Sequence, residues 1–215
     1  MSSGLLSAAV IAASANNFVY QGVPALNMAN IGLGDIMATG RSGTGHTTQS
    51  YLRFDLTGVT LGAGDAAKLR LYVRDNIPAP GSGAPQFGVA PTPAFPLTAQ
   101  VSLVGSSWGE NTVTWLNRPA TTGVVSSQSI TGINQWVEWD VTSAVQGWVA
   151  NPSSNLGLVV SSPLVVTPEM GQTVYAIFNS SRNTGGNAPQ LVIPEPSALG
   201  LLAGTVLLGG RRRRS

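Results

Sequence analysis

Residues 49–56 read QSYLRFDL and residues 68–74 read KLRLYVR. In the first stretch Leu52, Phe54 and Leu56 point one way and Tyr51, Arg53 and Asp55 the other. In the second, Leu69, Leu71 and Val73 alternate with Lys68, Arg70, Tyr72 and Arg74. A period of two is the signature of a half-buried strand. The same rhythm predicts strands at 99–104, 112–116, 136–141, 156–161, 173–179 and 190–193, with Gly, Pro, Asn and Ser between them. One helix interrupts the pattern. Thr142 can cap residues 143–150, Val145, Trp148 and Val149 recur at helical spacing, and Asn151-Pro152 ends the run. Residues 76–98 hold six prolines and read as a long exposed loop. The expected fold is all-β, a β-sandwich of jelly-roll type with one short helix.

Composition agrees. Only 9% of the 215 residues are charged, with 26 glycines and 14 prolines, which suits an exported β protein better than a cytosolic enzyme. There is no cysteine, which excludes disulfides, thiol catalysis and Cys-zinc sites. The pI near 9.4 misleads. Four of the 11 basic residues are Arg211, Arg212, Arg213 and Arg214. Without the tail, seven basic residues face eight acids, so the body lacks a basic footprint for nucleic acid.

Both ends carry apolar segments. Residues 4–13, GLLSAAVIAA, read as the core of a signal peptide spanning 1–15. Ala13-Ser14-Ala15 supplies a small-x-small cleavage site and Asn16 a mature start. No Lys or Arg precedes the run, and a buried first strand is the alternative reading. At the other end, residues 194–215 read PEPSALGLLAGTVLLGGRRRRS. Pro194 and Pro196 break regular structure. As a helix, 197–210 reaches roughly 20 Å, short against a hydrocarbon core of about 30 Å. The four terminal arginines stay with anionic headgroups. This predicts temporary insertion in an inner membrane, with an ordinary C-terminal anchor as the alternative. The order Pro194-Glu195-Pro196, apolar helix, Arg211–Arg214 resembles the PEP-CTERM sorting signal of Gram-negative bacteria. That resemblance implies processing by an exosortase and delivery to the cell surface or a polysaccharide matrix.

The body, 16–193, carries a second resemblance. SYLRFDLTGV (50–59), AKLRLYV (67–73), SSWGENTVTWLNRPAT (106–121), WVEWDVTSAVQGWVANPSSNLGLVVSS (136–162) and FNSSRNTGGNAPQLVI (178–193) are similar, in order, to the DNRLRE family of extracellular proteins. The resemblance implies a jelly-roll sandwich. Some related domains are carbohydrate-binding modules with affinity for acidic polysaccharide such as alginate.

The candidate binding residues follow from strand faces. Arg53, Arg70 and Arg74 lie opposite the core side, with Tyr51 and Tyr72; were their strands paired, they would form a basic, aromatic strip. Guanidinium forks bind carboxylates bidentately, which suits a uronate. The competing expectation is pairing with Asp55, Asp75, Glu138 or Asp140. Arg182, in Asn-Ser-Ser-Arg, supports the fold and could reach the same face. Trp115 and Trp148 read as core; Trp108 lies in a turn. Asp140 and Thr142 read as a cap. Asp35, Asp65 and Asp75 are loop carboxylates of the kind calcium uses; no Asp-x-Asp pattern supports a site, so the expectation is no metal or cofactor, with a Ca²⁺ site at these loops as the alternative. His46 is the sole histidine, and no hydrolase, zincin or P-loop motif is present. A Tyr51–His46 acid/base pair would suit a lyase, and Glu110 with Glu138 a glycosidase. The expectation is a non-enzymatic exported protein that binds acidic polysaccharide, with a dedicated lectin-like module and a polysaccharide lyase as alternatives.

Overall fold

A computed structural model describes residues 8–22, 27–30, 34–41, 45–62, 64–75, 88–166 and 173–193. The sorting-signal residues Pro194, Glu195, Pro196 and Arg211–Arg214, the segment 197–210, and most of the proline-rich loop lie outside them. Among the described residues, ten strands and one α-helix form the domain: β1 Ala9–Gln21, β2 Ile36–Arg41, β3 Thr47–Phe54, β4 Lys68–Val73, β5 Leu97–Val104, β6 Thr121–Ile130, β7 Gln135–Asp140, α1 Thr142–Ala150, β8 Leu158–Ser161, β9 Tyr175–Asn179 and β10 Gln190–Ile193. A 3-10 turn, Pro152–Ser154, follows the helix.

The strands run in the order β1-β10-β4-β9-β2-β3-β8-β5-β6, with β7 on the other edge of β4. All the strand pairs are antiparallel. β1 changes partners along its length and so helps turn the network into a sandwich. β1 pairs with β10 over Ala9–Ala12, shifts register between Ala13 and Ala15, and then pairs with β3. β2 pairs with β9 and, at Gly40 and Arg41, with β3. The sheet thereby encloses Leu52 and Phe54 of β3, Leu69, Leu71 and Val73 of β4, Val101 of β5, Trp139 of β7, Phe178 of β9 and Leu191 of β10. Helix α1 adds Val145 and Trp148 to this core. Trp139 ties the layers together, since its Nε1 donates to the Ala99 carbonyl of β5 at 3.0 Å.

The N-terminal segment differs from its expected use. Residues 9–15, assigned by the sequence reading to a signal peptide, are the first half of β1. Ala13 and Ala15, the expected cleavage positions, pair with Phe54 and Arg53 across the bulge. A short run of small apolar residues satisfies a signal core and a strand equally; the carbonyls and amides of β10 and β3 favour the strand here.

The expected strand at 112–116 is a set of turns instead. Thr114 gives its amide to Asn117 Oδ1 at 2.6 Å, and Thr112 its amide to the Gly109 carbonyl at 3.1 Å. Side chains that bond nearby backbone compete with a sheet ladder, and here they win. The segment instead lays Trp108, Val113 and Trp115 against Tyr51, Val19 and Val159, forming a second small core. Tyr51 is therefore wholly buried, not on a solvent face. β6, with sequence TTGVVSSQSI, is a mostly exposed edge strand without apolar alternation, so periodicity passes over it.

Gly40 is needed for a close approach. A Cβ there would lie 2.1 Å from the ring of Tyr175, its cross-strand partner on β9. The cap expected of Thr142 does not form: α1 begins at Thr142, with Val141 at the cap position and no side-chain cap bond. Asp140 Oδ1 instead accepts from the Thr142 amide at 2.9 Å in a turn, and Thr142 Oγ1 accepts from the Ala67 amide. No described helix is long and apolar enough to cross a membrane.

Candidate functional site

The end of β3, the turn after it and the C-terminal part of α1 enclose a cleft of about 680 Å³. That volume falls within the roughly 300–1,000 Å³ of small-molecule sites. Phe54, Leu56, Val59, Trp148 and Val149 give it an apolar wall, while Arg53, Asp55, Ser14 and Asn155 supply polar groups.

Each polar group is held by local chemistry. Arg53 is carried on β3, where the Ser14 hydroxyl donates to its carbonyl at 3.1 Å. Its guanidinium carbon sits 5.6 Å from the Trp108 ring centroid. Trp108 is itself anchored through Nε1 to the Leu156 carbonyl at 2.9 Å. Among the described residues Arg53 forms no ion pair. Asp55 Oδ1 accepts from the Thr57 hydroxyl at 2.7 Å and the Thr57 amide at 2.9 Å, and these bonds hold its carboxyl below the usual range. Asn155 Nδ2 donates to the Phe54 carbonyl at 2.9 Å. Its Oδ1 is buried without a protein partner. Among the described residues, the cleft thus offers a cation without an ion-pair partner and a fixed carboxylate beside an apolar wall. Such a set can take a carboxylate and hydroxyls on a partly apolar ring.

The other candidates do not join it. β4 pairs with β7, β10 and β9 but not with β3, so Arg53 is separated from Arg70 and Arg74 and the expected strip does not form. Arg70 faces Glu138 across the β4–β7 ladder, Nε to Oε1 2.8 Å, close enough for an ion pair but not aligned as a hydrogen bond. Lys68 shares that carboxylate at 3.0 Å. Arg70 also lies 4.6 Å from the Trp136 ring centroid, and Tyr72 meets Trp136 edge-on at 5.5 Å. Arg74 pairs with Asp35 at 2.9 Å. Arg182 pairs with Glu110 at 2.9 Å, and Glu110 Oε1 also accepts from the Asn16 amide at 2.9 Å. That pair joins β1 to the loops after β5 and β9, the supporting role expected of Arg182.

The catalytic candidates are dispersed too. His46 Nδ1 bonds the hydroxyl of Tyr20 at 2.6 Å, not that of Tyr51. Tyr51 instead reaches the Pro119 carbonyl at 3.2 Å, and burial pushes its pKa up to about 12 against a smaller opposing effect of Arg118. Glu110 and Glu138 are committed to separate ion pairs. Asp65 accepts from the Gly62 amide at 2.6 Å. Among the described residues no three His, Asp or Glu converge as metal ligands.

The sequence names Arg53 as a candidate, but it points neither to Asn155 nor to the cleft. Nothing in the periodicity of NPSSN marks Asn155, because the chain reaches Phe54 only after folding back over about a hundred residues, |i−j| = 101. Among curated proteins none matches this chain. A protein-family model, carbohydrate-binding module family 96, matches residues 7–195.

Proposed function

The chain belongs to carbohydrate-binding module family 96, and from that premise we propose that it is a non-catalytic polysaccharide-binding protein whose site is the Arg53 cleft. The ligand class is acidic polysaccharide. Arg53 is the observation that carries this reading: of the four candidate arginines it alone has no carboxylate partner among the described residues, and it lines the cleft of about 680 Å³. A uronate brings a carboxylate for Arg53 and hydroxyls that suit the Ser14 and Thr57 side chains lining the same cleft. Arg70, Tyr72, Arg74 and Arg182 serve the fold in this reading.

The test is affinity electrophoresis and calorimetry of the full chain on a polyuronate. Arg53→Gln should weaken binding about 10- to 100-fold, as for a lost charge-assisted hydrogen bond of ~1.5–3 kcal/mol. Arg70→Gln should change it less than about threefold, within the range of exposed ion pairs. Equal effects of the two substitutions would sink the assignment. Binding needs no cofactor, so EDTA should leave it unchanged.

The proposed destination rests on the tail. Residues 197–210 hold the chain in the inner membrane for a time, an exosortase acts near Pro194-Glu195-Pro196, and the domain is released to the cell surface or matrix of a Gram-negative bacterium. Mass spectrometry of the extracellular protein is the check, and recovery there of intact Arg211–Arg214 overturns it.

A further inference from the structure

A second groove, of about 320 Å³, lies along the same helix. Its walls include Gly147 and Ser143 of α1, Thr122 of β6, and Ser154 and Leu156 from the turn beyond the helix. Trp148 lines both this groove and the Arg53 cleft, and the 152–157 segment contributes to each, so the two are neighbours across one indole. Their chemistry differs. The cleft holds Arg53 and Asp55, whereas no ionisable side chain lines the groove.

Gly147 sharpens the contrast. It sits inside α1, where glycine costs about 1 kcal/mol relative to alanine. Nothing forces glycine there: a Cβ would meet no atom within 4 Å, and the residue has no left-handed φ. Gly147 therefore leaves its part of the groove wall without a side chain.

We infer that the groove is a second subsite, for an uncharged sugar unit next to the acidic unit held at Arg53. The ligand is then a heteropolysaccharide in which uronate and neutral residues adjoin, not a homouronan. Hydroxyls of Ser143, Thr122 and Ser154 suit the hydroxyl or acetamido groups of a neutral ring. An ionised unit there would be desolvated without a counter-charge. This inference rests on the Arg53 reading.

The test uses the full chain and two probes in moderate salt: hyaluronan, which alternates glucuronate with N-acetylglucosamine, and polyguluronate, a homouronan. The native chain should prefer hyaluronan about tenfold, the equivalent of ~1.4 kcal/mol. Gly147→Leu should erase that preference. Ser143→Phe, at an exposed position on the same groove, should do so too and carries the test if Gly147→Leu misfolds. Near-UV circular dichroism establishes folding. No preference in the native chain, or a preference surviving both substitutions, overturns the second subsite. Arg53→Gln separates the two readings: it should weaken both probes, and if it weakens neither, the Arg53 cleft itself is overturned.

Discussion

Trp139→Phe probes the contact that couples the two layers of the sandwich. Trp139 is wholly buried on β7, meets Phe178 edge-on with centroids 6.4 Å apart, and donates Nε1 to the Ala99 carbonyl on β5. Phenylalanine keeps the benzyl part and removes the pyrrole half. The lost contacts and residual cavity cost about 1–2 kcal/mol. Losing the indole donor from a buried carbonyl adds roughly 1–2 kcal/mol. The sum is about 3 kcal/mol, or roughly 6–12 °C in Tm for a domain of this size. The internal control is Trp136, on the same strand but the opposite, half-exposed face, where Trp136→Phe should cost under about 1 kcal/mol. Urea denaturation followed by far-UV circular dichroism measures both. Equal losses would refute the placement of Trp139 between the layers.

Two further outcomes test local electrostatics. The Thr142 hydroxyl and amide hold Asp140 ionised below the ordinary aspartate value of 3.8. A carboxylate lowered on folding contributes fully above that value, and the contribution fades as pH falls through its folded value. Asp140 is exposed, so screening limits this to under about 1 kcal/mol. In urea titrations, Asp140→Asn should flatten the acid limb of the stability profile below the ordinary aspartate value; an unchanged limb contradicts the turn described. Glu110→Gln keeps the shape of the junction between Asn16 and Arg182 but removes its charge, and should lower unfolding free energy by about 1–2 kcal/mol. A loss confined to experimental error would show that the junction does not support β1.

Several elements were legible because they depend on their own residues. Leu69, Leu71 and Val73 alternate with Lys68, Arg70 and Tyr72, and β4 buries the first set as the period demands. Val145 and Trp148 share the buried face of α1, as their spacing predicts. Other readings failed where a distant partner decides. Thr112–Leu116 alternates like a strand, but Asn117 and Gly109 take its amides first. Tyr51 has the position of a surface residue on β3, yet Trp108 and Trp115 fold over it.

The sequence by itself determined an all-β domain with one helix, the faces of several strands, and the absence of thiol chemistry. Tertiary structure alone decided which strands became neighbours, and with that the separation of Arg53 from Arg70 and Arg74, the use of residues 9–15 as sheet, and the cleft beneath Asn155. The physical reason is range. Periodicity records which side of a segment shuns water, a local property. Pairing depends on backbone groups and side chains supplied from elsewhere in the chain, and no short stretch carries that information.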